Sequence, residues 1–177
     1  MIPPPTDRLT FRDWSLADVP AFDAICSDPN VMQFVGDGTP WSLERTEQFI
    51  FRAIEMSQSL GFCQWPVIET SRSVLIGFCG FVPADDGAEV GWRLSKDCWG
   101  RGLATEAARA VITYGFETME FSRIVATVQS ANRASIRIAE KLGMTLESCF
   151  QRHGRETSLY SMTRRLSGSV TRMDSSS

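Results

Sequence analysis

The sequence contains one histidine, His153, and five scattered cysteines, Cys26, Cys63, Cys79, Cys98 and Cys149, none of them in a C-x-x-C pair. So few imidazoles exclude a metal site built on histidine, and the thiols lack the spacing of a zinc site. An odd, unpatterned set of cysteines points to reduced, mostly buried thiols rather than a disulfide frame. No apolar run approaches the roughly 20 residues that cross a bilayer. The opening Met1-Ile2-Pro3-Pro4-Pro5 has no charged-then-apolar leader, so no signal peptide is expected and the expected location is the cytoplasm. Positive charge is not in excess either. The net charge of -3 argues against a general basic grip on nucleic acid, and it fits a cationic small-molecule or peptide partner.

What is present reads as one folded domain. The 177 residues are 43% hydrophobic and 22% charged, enough for a real core. Neither a repeat nor an internal linker divides the chain, so residues 1–166 are expected to form a single domain. The serine-rich stretch 167–177 is expected to be a disordered tail.

The most informative stretch runs from Glu89 to Glu106, E-V-G-W-R-L-S-K-D-C-W-G-R-G-L-A-T-E. Its first six residues are rich in aromatic and branched side chains and predict a buried strand. From Leu103 the apolar and small positions, Leu103, Ala107, Ala110, Val111 and Tyr114, fall at helical spacing. A strand therefore runs into a glycine loop, and the loop opens a helix. The first amides of a helix lack internal partners and carry the positive end of the dipole. Gly100, Gly102 and Ala104 leave room for a phosphate to approach, and Arg101 adds a charge. Such glycines also serve turns and close packing, and both readings stand on these residues alone.

Around this centre the order of elements is mixed. Thr6 to Arg12 predicts a strand. Ser15 caps a helix with an inward face at Leu16, Val19, Phe22 and Cys26, and Val31 to Val35 adds a helical turn. Ser42 caps another helix with Leu43, Ile50, Ala53 and Ile54 inward, ended by Gly61. Phe62 to Glu69, Val74 to Val82 and the Glu89 strand are spaced as antiparallel hairpins. A strand over Arg123 to Gln129 after the long helix implies a parallel pair. A helix over Asn132 to Leu142, with Ile138 and Leu142 inward, ends at Gly143. Met144 to Phe150 and Thr157 to Thr163 form a last hairpin. The fold class is thus α+β (mixed α/β), with a mostly antiparallel mixed sheet of about seven strands flanked by about four helices.

Arg8-Leu9, Arg12-Asp13-Trp14, Asp28-Pro29-Asn30-Val31-Met32, Glu89-Val90-Gly91-Trp92, Trp99 to Ala107, Asn132-Arg133-Ala134-Ser135 and Glu140 to Met144 occur in this order. Together they resemble the RimJ/RimL-type branch of the GNAT superfamily of acetyl-CoA-dependent N-acetyltransferases, over nearly everything from Arg8 to Met162. The superfamily's cofactor loop is Q/R-x-x-G-x-G/A; Gly102 and Ala104 match its last two fixed places, and Trp99 stands where Gln or Arg is usual. The resemblance implies that amides of Gly100, Arg101, Gly102, Leu103, Ala104 and Thr105 hold the pyrophosphate of acetyl-CoA, the acetyl donor. It implies further that main-chain groups of Arg93, Leu94 and Ser95 pair with the pantetheine arm along a splayed strand edge.

An ammonium cannot attack a thioester before it loses a proton, so a carboxylate near the acetyl group is useful. The resemblance puts Glu89 at the base's place; a plain exposed strand glutamate is the other reading. Glu106, in the first helical turn, reads as structural. Asn132 and Ser135, one turn apart, face either the cofactor or only their own helix cap. Facing the cofactor, Ser135 would hydrogen-bond the sulfur and stabilise the departing thiolate. Many relatives carry a tyrosine as general acid where this chain has Ala139. The expected activity is direct transfer of acetyl to a primary amine, either a protein N-terminal α-amine or a small-molecule amine. The alternative is a catalytically degenerate acyl-CoA-binding module. A homodimer is expected only by analogy, and neither nucleic acid nor membrane is an expected partner.

Overall fold

A computed structural model describes residues 1–164; the expected tail, 167–177, lies outside the described residues. The strands are β1 (Leu9–Phe11), β2 (Gln64–Glu69), β3 (Val74–Ala84), β4 (Gly87–Leu94), β5 (Arg123–Gln129), β6 (Thr145–Arg152) and β7 (Arg155–Thr163). They form one seven-stranded sheet in the order β1-β2-β3-β4-β5-β7-β6. Every neighbouring pair is antiparallel except β4 with β5. The exception follows from the connection, because a strand that returns through a crossover helix must run parallel. That helix is α4 (Leu103–Glu117); the others are α1 (Val19–Cys26), α2 (Pro29–Met32), α3 (Leu43–Leu60) and α5 (Arg133–Lys141).

Local signals set most boundaries. Ser15 and Asp18 form a reciprocal capping box at a short 3-10 turn, and Ser42 accepts from the Arg45 amide to start α3. Gly61, in the left-handed region at φ +76°, ends α3. Pleating sorts the core into two layers. Phe78 of β3 meets Phe22 and Phe49 beneath α1 and α3, and Trp14 packs on those two rings. Trp65 and Phe81 pack on the opposite face against Tyr114 of α4 and Phe121.

Three expected inward faces are corrected. Leu16 and Leu43 are exposed, because each sits at the start of its element before the helix reaches the sheet. In α5 the buried positions are Ile136 and Ala139, while Ile138 and Leu142 are only half-buried. The first strand is also shorter than Thr6 to Arg12, because Thr6 and Arg8 are engaged with α4 instead.

One break in the sheet matters most. β4 and β5 pair at only two positions, Ala88 with Ile124 and Glu89 with Val125. Beyond them the strands part, and the gap opens towards the glycine loop.

Candidate active site

The gap continues into a groove of about 440 Å³ that runs from α2 across the end of β4 to the start of α4 and along α5. Its lining includes Phe34, Val35, Trp92, Arg93, Leu94, Gly100, Gly102, Leu103, Ala104, Thr105, Asn132 and Ser135. Ser95, Arg101 and Glu89 do not line it.

The main chain of β4 explains what the floor offers. Ser95 N–H donates to Ile76 O at 2.8 Å. In an antiparallel ladder the bonded pairs alternate, so the main-chain groups of Arg93, opposite Phe78, also face β3. Those of Trp92 and Leu94 face the gap. Of the three residues expected to pair with a pantetheine arm, Leu94 alone turns its main chain that way. Its carbonyl already accepts from Trp99 Nε1 at 3.0 Å, which lays the indole across the end of the strand, and among the described residues the Leu94 amide is left to face the gap.

The loop beyond is an open cradle. Gly100 (φ +73°) and Gly102 (φ +78°) both lie in the left-handed region, where other residues are strained. A Cβ on Gly100 would meet nothing within 4 Å, so the space above the loop is free for a ligand. Gly102 caps α4, whose first-turn amides have no helical acceptor. The donor set is amide-only and suits a pyrophosphate.

The cradle is fastened from behind. Glu106 Oε1 accepts from Thr6 Oγ1 at 2.6 Å and from the Arg8 amide at 3.1 Å, and its Oε2 pairs with the Arg8 guanidinium at 2.5 Å. Burial alone would raise this carboxyl. The hydrogen bonds from Thr6 and Arg8 and the Arg8 charge outweigh burial and hold it below its usual range. Arg8 Nη1 also donates to Arg101 O at 3.0 Å. The Arg101 side chain turns away from the groove to Glu69, which Arg72 shares. Arg101 therefore anchors the loop.

On α5, Asn132 Oδ1 accepts from the Ser135 amide at 3.1 Å and caps the helix, yet both residues also face the groove. Cap and groove contact thus coexist. Among the described residues Ser135 Oγ has no hydrogen-bond partner. Arg137 and Lys141 line the same wall and supply positive charge that sequence reasoning missed. The signal was available in the i, i+4 series Arg133, Arg137, Lys141. Ala139 is fully buried and lies in the core.

Glu89 sits at the last paired position before the gap, half-buried, and accepts a short hydrogen bond from Thr127 Oγ1 on β5. Thr127 also lines a side cavity of about 210 Å³ with Phe34, Arg152 and His153. The loop carrying Phe34 is pinned from the sheet. Arg155 Nη1 donates to Gln33 O at 2.8 Å, Arg155 Nη2 to Asp37 O at 2.7 Å, and Gln129 Nε2 to Gly36 O at 2.9 Å.

Comparison with known proteins accounts for this arrangement. Residues 8–145 match the family model described as "Acetyltransferase (GNAT) domain". The "Uncharacterized N-acetyltransferase YnaD" of Bacillus subtilis (strain 168) is 32% identical over 149 residues, 83% of this chain and 85% of that protein. An acetyltransferase (GNAT family) structure from Bacillus anthracis superposes with a TM-score of 0.80 at 29% identity, covering 89% of this chain and 96% of that one. RimL, described as a ribosomal L7/L12 alpha-N-protein acetyltransferase in complex with coenzyme A, shares the fold at a TM-score of 0.78 and 20% identity, over 92% and 98% of the two chains. With the sheet, the gap and the glycine cradle in place, the chain belongs to the GNAT acetyltransferase family and is an acetyl-CoA-dependent enzyme.

Proposed function

We propose that the chain acetylates a primary amine by direct attack within a ternary complex, with Glu89 as the base and Ser135 supporting the leaving group. The observation that carries this reading is the continuity of the groove. It joins the amide cradle at α4 to Ser135 on α5 and to Trp92 on β4, three residues beyond Glu89, which marks the last strand pair. Acetyl-CoA supplies the thioester carbonyl that the amine nitrogen attacks. The cradle amides from Gly100 to Thr105 bind its pyrophosphate, and Arg137 and Lys141 add charge along the same wall. Glu89 takes the proton that an ammonium must lose, with Thr127 holding its carboxylate in place. Ser135 Oγ is free to donate to the sulfur as negative charge develops there. Among the described residues no histidine or lysine nitrogen hydrogen-bonds to any of the five cysteine sulfurs, and burial pushes the Cys63 thiol up to about 12. A covalent acetyl-cysteine step therefore has no support.

The acceptor is an amine reached from the α2 side, past Phe34. RimL gives a protein N-terminal α-amine as one precedent, and a small-molecule amine fits the same groove. A non-catalytic acyl-CoA-binding role draws on one observation, the buried alanine in the place of the tyrosine acid. Turnover decides between them. Glu89→Gln is expected to lower kcat by about 10²–10⁴ with acetyl-CoA affinity within about twofold. Equal loss of both, or wild-type binding of acetyl-CoA without acetylation of any amine in a broad panel, would reject the catalytic assignment.

A further inference from the structure

Arg93 is the one arginine of β4, and its side chain is buried. It is 9% exposed and also lines the groove. Its guanidinium lies 4.2 Å from the centre of the Trp41 ring and 5.2 Å from that of Phe78. Among the described residues it has no carboxylate partner. Its single polar contact is Nη1 donating to Cys26 Sγ at 3.2 Å, and burial pushes the Cys26 thiol up and keeps it neutral. Asp23, on the same helix as Cys26, is engaged by Thr46 instead.

Among the described residues two buried donors in this cluster have no hydrogen-bond partner, Arg93 Nε and Trp41 Nε1. A second guanidinium, Arg45, lies 4.9 Å from the same indole. The cluster thus gathers donors and positive charge while the protein supplies only a weak sulfur acceptor. A buried cation left this way is costly, because desolvation is not offset by a counter-charge. Burial lowers the Arg93 pKa, and the proximity of Arg45 adds to that. A guanidinium fork and an indole N–H are donors matched to an anion with two acceptor oxygens.

We propose that Arg93 and Trp41 form a carboxylate subsite, and that the acceptor amine belongs to a molecule that also carries a carboxylate, an amino-acid-like compound. This inference rests on acetyl transfer to an amine being the activity. Glu89, Gly91 and Arg93 project from the same face of β4, so base and anion site lie on one side of the strand with a glycine between them. Charge at both ends would then orient the acceptor.

The first test is independent of turnover. Protein labelled with ¹⁵N is titrated with sodium acetate, and with acetamide as the neutral isostere, while the Trp41 indole N–H resonance is followed. Trp41→Phe assigns that resonance. Saturable movement with acetate, none with acetamide, and loss of the response in Arg93→Met are expected. No movement, equal movement with acetamide, or a response that survives Arg93→Met would overturn the subsite. Should Arg93→Met fail to fold, Arg93→Lys keeps the charge but loses the planar fork, and is expected to weaken acetate at least about tenfold. A second arm compares amino acids with their amides as acceptors. Wild-type enzyme is expected to favour the acids through KM, and Arg93→Lys to erase that preference while acetyl-CoA affinity stays unchanged. A variant that instead weakens acetyl-CoA would place Arg93 in the donor site and overturn the proposal. Absence of turnover with every amine would reject acetyl transfer and leave the acetate titration to judge the subsite.

Discussion

Replacing Gly100 by alanine separates the cost of backbone strain from the cost of losing ligand space. Gly100 and Gly61 have nearly the same backbone, φ +73° and φ +76°, and an added Cβ meets nothing within 4 Å at either position. Each alanine should therefore cost the folded protein the same left-handed strain, about 1–2 kcal/mol. For a chain of this size that lowers Tm by roughly 2–8 °C. Their surroundings differ. Gly61 ends α3, away from the groove, whereas Gly100 lines it. A methyl group over the cradle would hold the pyrophosphate off its amides. Losing one charge-assisted hydrogen bond costs about 1.5–3 kcal/mol, or about 10- to 100-fold in Kd. Calorimetric titration with acetyl-CoA and a thermal melt of each variant give both numbers. Gly61→Ala should match Gly100→Ala in Tm and bind acetyl-CoA like wild type. Equal affinity for the two variants would refute the reasoning, since the open space over Gly100 would then not be the ligand's.

Ser135→Ala should lower kcat by about 10- to 100-fold, the loss of one hydrogen bond to a developing charge, with acetyl-CoA affinity little changed; steady-state kinetics and calorimetry check it. Glu106 has a folded pKa below its unfolded value of 4.5. Its contribution to stability is therefore complete above about pH 4.5 and lost as pH falls through the lower folded value. Melts between pH 3 and 6 should show Glu106→Gln converging on wild type at the acid end. Restoring a tyrosine with Ala139→Tyr should not raise turnover, because position 139 is buried in the core; overpacking should instead cost about 1–3 kcal/mol, read in a denaturant melt.

Side-chain pattern exposed most of the architecture in the sequence. Arg123 to Gln129 is an apolar run with turns on either side, and it is a strand over those same residues. The capping serines, Gly61 and the two loop glycines carry local chemistry that does not depend on distant partners. What stayed hidden depends on partners far along the chain. The parting of β4 from β5 leaves no trace in side-chain alternation, since it is a property of two strands together. The inward face of α5 was misread because Ile138 covers the groove and small Ala139 faces the core, the reverse of a ranking by hydrophobicity. Arg93 entered the site through its main chain alone; its buried guanidinium needed Cys26 of α1 and Trp41 of the loop before α3 to become visible.

The two-residue seam between β4 and β5 has a mechanical consequence. Strands β1 to β4 form one plate and β5 to β7 another, and within the sheet only Ala88–Ile124 and Glu89–Val125 join them. Two paired positions alone would leave the angle between the plates loosely set, but α4 packs against β3 and β4 of one plate and β5 of the other and spans the seam like a brace. Glu89 sits at that seam and is held there by Thr127 from the other plate. The position of the carboxylate is thus set by both plates at once, while the width of the gap beside it is set by the helix that spans them.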